Sequence, residues 1–274
     1  MGAAERIIGS LFRRLPDAWI ERLAGARPPV RGRQLDPRLA LIARSAGRQT
    51  PLHRMTPAEA RATSKRALAI GAGAPRPMAD VQHRVLPGPA GDIPVRIYRP
   101  PHIAGPRPLL LYFHQGGCVI GDLDWCEPFC TVLAEGARCL VMSVDYRLGP
   151  EHRFPAAQED AVAAYRWAMA NAAEIGGDPA RLAVGGDSAG GGLAACITHA
   201  LKQSGDPQPL VQLLVYPWLV AYADNDSYRD FHDAYPLNPE AMRWFLSHYL
   251  NDDAERDDPR LSPLLEADFS GLIR

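Results

Sequence analysis

Residues 182–190 read Leu-Ala-Val-Gly-Gly-Asp-Ser-Ala-Gly. The apolar start suits a short strand, and the small residues after Ser188 suit a helix. Between them stands Gly186-Asp187-Ser188-Ala189-Gly190, a Gly-x-Ser-x-Gly turn in strand–turn–helix context. Such a turn forces a strained backbone on the serine and requires small neighbours, because larger side chains would clash. The Ser188 oxygen is then exposed at a helix N-terminus, whose dipole favours developing negative charge. The competing reading is a glycine-rich turn that binds phosphate.

Outward from this turn, strand-like and helical runs alternate. Strands are expected at 81–86, 93–98, 109–113, 140–144, 182–184 and 211–216, with helices near 124–136, 156–174 and 189–203. That alternation signals βαβ units and a mostly parallel sheet, hence an α/β fold. Before it, apolar residues at helical spacing (Ile7, Ile8, Leu11, Phe12, Leu15) predict a first amphipathic helix, and Trp19, Ile20 and Leu23 a second that begins at Pro16. Residues 26–33 read as a linker. Helices follow at about 36–47 and 56–71, the latter opened by the capping box Thr56-Pro57-Ala58-Glu59. Residues 218–250 lack strand texture and read as an insertion with a helix near 238–249.

The 274 residues are 47% hydrophobic and 22% charged, an ordinary globular composition. No apolar run approaches a membrane span, and no uninterrupted apolar segment suits a secretory signal. The net charge of −1 conceals +9 over residues 1–66 and −10 beyond them. The basic stretch lacks interleaved aromatics and any nucleic-acid reader motif, so a nucleic-acid partner is not expected. A weak contact of the basic amphipathic N-terminal helices with an anionic membrane surface stays open, as does a homo-oligomer. Only Lys65 and Lys202 are lysines, and neither is followed by Ser or Thr, which excludes a Walker A loop. No His-Glu-x-x-His motif occurs. The five cysteines (118, 126, 130, 139, 196) lack zinc spacing and read as buried thiols in a reducing, cytoplasmic compartment.

Two further segments accompany the serine turn. His114-Gln115-Gly116-Gly117 follows the strand at 109–113, and its glycines let backbone N–H groups approach a reacting oxygen unhindered. Asp145-Tyr146-Arg147-Leu148-Gly149-Pro150-Glu151-His152 carries no chemistry of its own and reads as a buried cluster of ion pairs and hydrogen bonds supporting the other two. Together the three segments resemble the hormone-sensitive-lipase-like carboxylesterase branch of the α/β-hydrolases, from about residue 35 onward. The resemblance implies an α/β-hydrolase fold, with a mostly parallel central sheet, helices on both faces and a helical cap. It divides the chain into a helical cap segment at 1–72 and a catalytic domain at 73–274 with a cap insertion at about 218–250. It also implies hydrolysis of short- to medium-chain acyl esters without metal or organic cofactor. Ser188 would be the nucleophile. The N–H groups of Gly116, Gly117 and Ala189 would form the oxyanion hole, and His114, Asp187 and Glu151 would hold the loops. Trp218, Tyr222 and Trp244 are candidates for the acyl pocket, the cap or plain core packing.

Two departures stand out. The family's His-Gly-Gly-Gly loop has Gln115 at its first glycine, which is expected to alter the acyl-pocket wall or the loop's flexibility. More severely, the triad order is Ser, then Asp or Glu, then His. The run at 259–272 resembles the approach to a seventh core strand, and the triad Asp, the triad His and the last two core strands are missing from the sequence. His199 should point away from the site, and His232 and His248 fall in the insertion. The expectation is therefore a truncated esterase of impaired activity, with a bare sheet edge that favours oligomerisation or poor solubility. The alternative is a non-catalytic small-molecule-binding pseudo-hydrolase.

Overall fold

The computed structural model describes residues 14–25, 28–71, 73–101, 105–235 and 237–273. The helix expected at 7–15 lies almost wholly outside them. The chain divides into two compact units, residues 1–72 with 223–246, and residues 73–222 with 247–274.

The first unit is helical. It contains α1 (Asp17–Ala24), α2 (Pro37–Ala46), α3 (Pro57–Gly71), the short α7 (Asp226–Asp230) and the first two turns of α8 (Pro239–Tyr249). Asp36 caps α2 by accepting from the Arg38 and Leu39 N–H groups at 2.8 and 3.3 Å. The capping box forms reciprocally at α3: the Glu59 N–H donates to Thr56 Oγ1 and the Thr56 N–H to Glu59 Oε2. The described residues of the segment expected as a linker, 28–33, make specific contacts. Val30 and Arg33 form a β-bridge, and Arg31 pairs with Asp226 and Asp230 at 2.5 Å.

The second unit is built on a six-stranded sheet: β1 (Asp80–Gly88), β2 (Gly91–Arg99), β3 (Arg107–Phe113), β4 (Leu140–Val144), β5 (Gly177–Asp187) and β6 (Val211–Val215). The order is β1-β2-β4-β3-β5-β6. The β1–β2 hairpin and the β2–β4 pairing are antiparallel, and the other three pairings are parallel. The mixed order arises because two strands joined by the tight turn at residues 88–91 can only pair antiparallel. The parallel strands are joined by α4 (Leu123–Ala137), α5 (Ala156–Asn171) and α6 (Ala189–Ser204).

Side chains alternate between the faces of β3. Leu110 and Tyr112 meet Cys126, Cys130 and Ala134 of α4, together with Tyr98, Cys139 and Val141. Leu109, Leu111 and Phe113, all fully buried, point to the opposite face, where α6 packs. All five cysteines are buried free thiols. Burial pushes Cys118 and Cys196 up to about 12, so neither supplies a thiolate nucleophile near neutral pH.

After β4 the chain enters the segment at 145–155. Its buried ion pair joins Arg147 to Asp160 of α5, with Arg147 Nε 3.0 and 2.9 Å from the two carboxylate oxygens. The Arg147 N–H donates to the same carboxylate at 2.9 Å. The Asp160 side chain is 1% exposed and that of Arg147 is 19% exposed. Removing one member of a buried pair leaves the other charge uncompensated. Asp160→Ala is therefore expected to lower the unfolding free energy by about 3–5 kcal/mol. Urea unfolding measures this, and a loss below about 1 kcal/mol would reduce the pair to the worth of a surface bridge.

Candidate active site

β5 ends at Asp187 and α6 begins at Ala189, leaving Ser188 as the sole residue of the turn. Ser188 has φ 54° and ψ −118°, a backbone conformation few non-glycine residues adopt. The surroundings impose it. A Cβ at Gly190 would lie 1.9 Å from the Phe113 carbonyl oxygen, so α6 starts hard against the end of β3. The Ser188 N–H donates to the Val215 carbonyl at 3.0 Å, while its own carbonyl accepts from Gly192 at 3.1 Å and Trp218 at 2.8 Å. Both backbone groups of the serine are thus used, and among the described residues none bonds its Oγ.

The loop after β3 runs alongside. Gly116 has φ 128°, and a Cβ there would sit 1.9 Å from the Ile120 carbonyl oxygen; Gly117 has φ 59°. Among the described residues, the N–H groups of Gly116, Gly117 and Ala189 meet no protein acceptor. They are three uncommitted donors, on the loop after β3 and at the start of α6. His114 is buried, with Nδ1 2.7 Å from the Gln115 carbonyl, and its ring stacks on Tyr146 at 4.4 Å. The Tyr146 hydroxyl donates to the His114 carbonyl at 2.7 Å, and the Gly149 N–H to the Cys118 carbonyl at 2.8 Å. The segment at 145–155 therefore holds the glycine loop through Tyr146 and Gly149. Glu151 is exposed, so the buried ion pair of that segment does not involve it.

Asp187 joins the two loops from beneath. It is buried, and its carboxylate accepts from the Tyr112 hydroxyl at 2.7 Å and the Tyr216 hydroxyl at 3.0 Å. Burial raises its pKa, opposed first by the Tyr112 hydrogen bond and then by Tyr216. Burial and the Asp187 charge push Tyr216 up to about 12 and Tyr112 further still, so both phenols keep their protons. Neither tyrosine was among the residues singled out from sequence. Tyr216 could have been: β5 and β6 pair in parallel with Asp187 opposite Val215, so the next residues, Ser188 and Tyr216, emerge side by side.

Three histidines follow Ser188 in the sequence. His199 Nδ1 is 3.9 Å from Glu266, and its ring meets Phe269 edge-on. It lines a groove of about 630 Å³ between α5, α6 and residues 259–266, which includes none of the loop residues. His232 belongs to the helical unit, where Nδ1 is 3.0 Å from the Arg229 carbonyl oxygen. His248 stands in the last turn of α8. Trp218 is half-buried beside the turn, Tyr222 is exposed, and Trp244 is buried in the helical unit, donating its indole N–H to the Met55 carbonyl. Among the described residues no three His, Cys, Asp or Glu side chains gather as a metal site, and no helix is long and apolar enough to cross a membrane.

A protein family described as having the alpha/beta hydrolase fold matches residues 110–274, more than half of the chain. The chain belongs to the α/β-hydrolases. It is 43% identical over 213 residues to the carboxylic ester hydrolase LipN of Mycobacterium tuberculosis, covering 76% of this chain and 56% of LipN. It is 38% identical over 230 residues to an ethyl acetate hydrolase of Pseudomonas putida, covering 81% and 71%. Among solved structures, an ester hydrolase from the Lake Arreo metagenome superposes with a TM-score of 0.81 at 40% identity, covering 86% of this chain and 75% of that one. An esterase of Pyrobaculum calidifontis superposes at 0.79 and 31% identity. This α/β-hydrolase chain spans a little over half the length of the first curated relatives it matches.

Burial makes His114 a pH-sensitive part of this architecture. It holds the imidazole near 4, below its ordinary value of 6.5, although the hydrogen bond to Gln115 pulls the other way. Above pH 6.5 the ring is neutral in both folded and unfolded chains. As pH falls further, the unfolded chain takes the proton first, so stability is lost between about pH 6.5 and 4, by up to about 3 kcal/mol. His114→Gln lacks this proton site. Its deficit relative to wild type should shrink by about that amount from pH 7 to pH 4 in urea unfolding. A deficit that does not change with pH would show that His114 titrates normally.

Proposed function

We propose that the chain is a serine carboxylic-ester hydrolase acting on short- to medium-chain acyl esters through an acyl-enzyme on Ser188. The observation that carries this reading is the strained Ser188 at the head of α6, on the same side of the sheet as the unpaired Gly116, Gly117 and Ala189 donors. Its Oγ would attack the ester carbonyl and form a tetrahedral oxyanion held by those three N–H groups. Expulsion of the alcohol would leave the acyl group on Ser188, and water would release it. The relatives named as carboxylic ester hydrolases support the same chemistry.

The same reading makes this 274-residue chain slow. An efficient serine nucleophile needs a histidine to take its proton, and among the described residues none bonds Ser188 Oγ. Loss of the base in a related catalytic arrangement costs roughly a million-fold in turnover and leaves about 10³–10⁴ over water. Deacylation needs that base as well, so the acyl-enzyme should accumulate.

Incubation with p-nitrophenyl acetate or butyrate, followed by intact-mass analysis, is expected to show one long-lived acyl group per chain. Ser188→Ala should show none. Equal acylation of the variant would refute the nucleophile assignment. Rapid turnover by the wild-type chain would refute the impairment. Tight binding of esters without any acylation, indifferent to Ser188→Ala, would favour a ligand-binding pseudo-hydrolase.

A further inference from the structure

We propose that Gln115 is a positioning residue that pins the Gly116-Gly117 donors to the nucleophile turn through Tyr216 and Asp187. The proposal rests on Ser188 being the nucleophile. Gln115 stands where the resembling family has glycine, and its side-chain amide reaches the Tyr216 hydroxyl at 3.2 Å. That hydroxyl is also 3.0 Å from Asp187 Oδ2. A phenol carries one proton, and the carboxylate takes it. The Gln115 amide must therefore present its NH₂ group to the Tyr216 oxygen, the two ends of a side-chain amide being interchangeable by rotation. With the amide rotated so that its NH₂ takes the place of the Oε1 that faces the hydroxyl, a directed chain results: the Gln115 amide donates to Tyr216, which donates to Asp187, whose other oxygen takes the Tyr112 hydroxyl.

Each end of this chain adjoins backbone with positive φ. Tyr216 has φ 35°, unusual for a non-glycine residue, and lies between the two residues that bond the Ser188 backbone, Val215 and Trp218 being on either side of it and Pro217. Gly116 and Gly117 follow Gln115 directly with positive φ, a backbone that has many alternatives when nothing holds it. A glycine at position 115 would lose this side-chain tie. Gln115 thus fixes where the oxyanion donors stand relative to Ser188, without touching the ester.

The test is the rate of Ser188 acylation by p-nitrophenyl acetate, followed by intact mass at several ester concentrations, for Gln115→Gly, Tyr216→Phe, the double variant and Gln115→Glu. Gln115→Gly and Tyr216→Phe should each slow acylation about tenfold, the worth of one hydrogen bond. The half-saturating ester concentration and the melting temperature should stay as in wild type. The double variant should be no slower than either single one, because both break the same chain. Gln115→Glu keeps the shape but offers a second acceptor for a proton already given to Asp187. It should be as slow as Gln115→Gly at about pH 8 and approach wild type only towards about pH 4, as its carboxyl gains a proton to donate. Unchanged acylation in Gln115→Gly and Tyr216→Phe, additive losses in the double variant, or a Glu variant equal to wild type at every pH would each overturn the proposal. Acylation that persists in Ser188→Ala would instead overturn the nucleophile reading beneath it.

Discussion

The close approach of α6 to the end of β3 is the constraint on which the rest depends. With no side chain at position 190, the helix begins against the Phe113 carbonyl oxygen, and one residue is left to turn the chain from β5 into α6. Ser188 takes a left-handed conformation because its N–H is committed to Val215 and its carbonyl to Gly192 and Trp218. Strain of this kind persists only where the surroundings over-determine it. The hydroxyl that results projects from the sheet end with its backbone immobilised, which is the condition for a nucleophile that need not be ordered when substrate arrives.

A buried carboxylate organises what surrounds that turn. Asp187 costs desolvation energy, visible in its raised pKa, and the hydroxyls of Tyr112 and Tyr216 offset it. Because these donors come from β3 and the end of β6, one charge ties two segments distant in sequence. The Arg147–Asp160 pair does the same for the segment that supports the loop from the other side through Tyr146 and Gly149. A site built this way moves as a unit, since each polar group is held by partners that are themselves held.

The glycine loop differs from the rest in being secured mostly by backbone. Its glycines give the N–H groups access but supply no side chain to hold them. Gln115 restores one side-chain tie in a place where the resembling pattern has none. That tie reaches the Tyr216 hydroxyl, which also bonds Asp187.

The local elements were legible because their signals are local. The strand–turn–helix around Ser188, the capping box at Thr56 and Glu59 and the alternation of β and α runs follow from spacing and backbone preference alone, and the structure has those elements within a few residues of their expected bounds. The serine turn and the glycine loop were legible for the same reason: both are contiguous motifs. The contacts between motifs were not. Glu151 appeared from its segment to belong to a buried cluster, yet the buried partner of Arg147 is Asp160, thirteen residues on and brought back by α5. Tyr112 and Tyr216 read as ordinary strand residues until the parallel register of β3, β5 and β6 set their hydroxyls on Asp187. The sequence by itself determined the fold class and the serine and glycine turns, because these depend on period, turn geometry and residue type. Which polar groups meet in the interior was decided by tertiary structure alone, because strand order and register join residues that no sequence spacing relates.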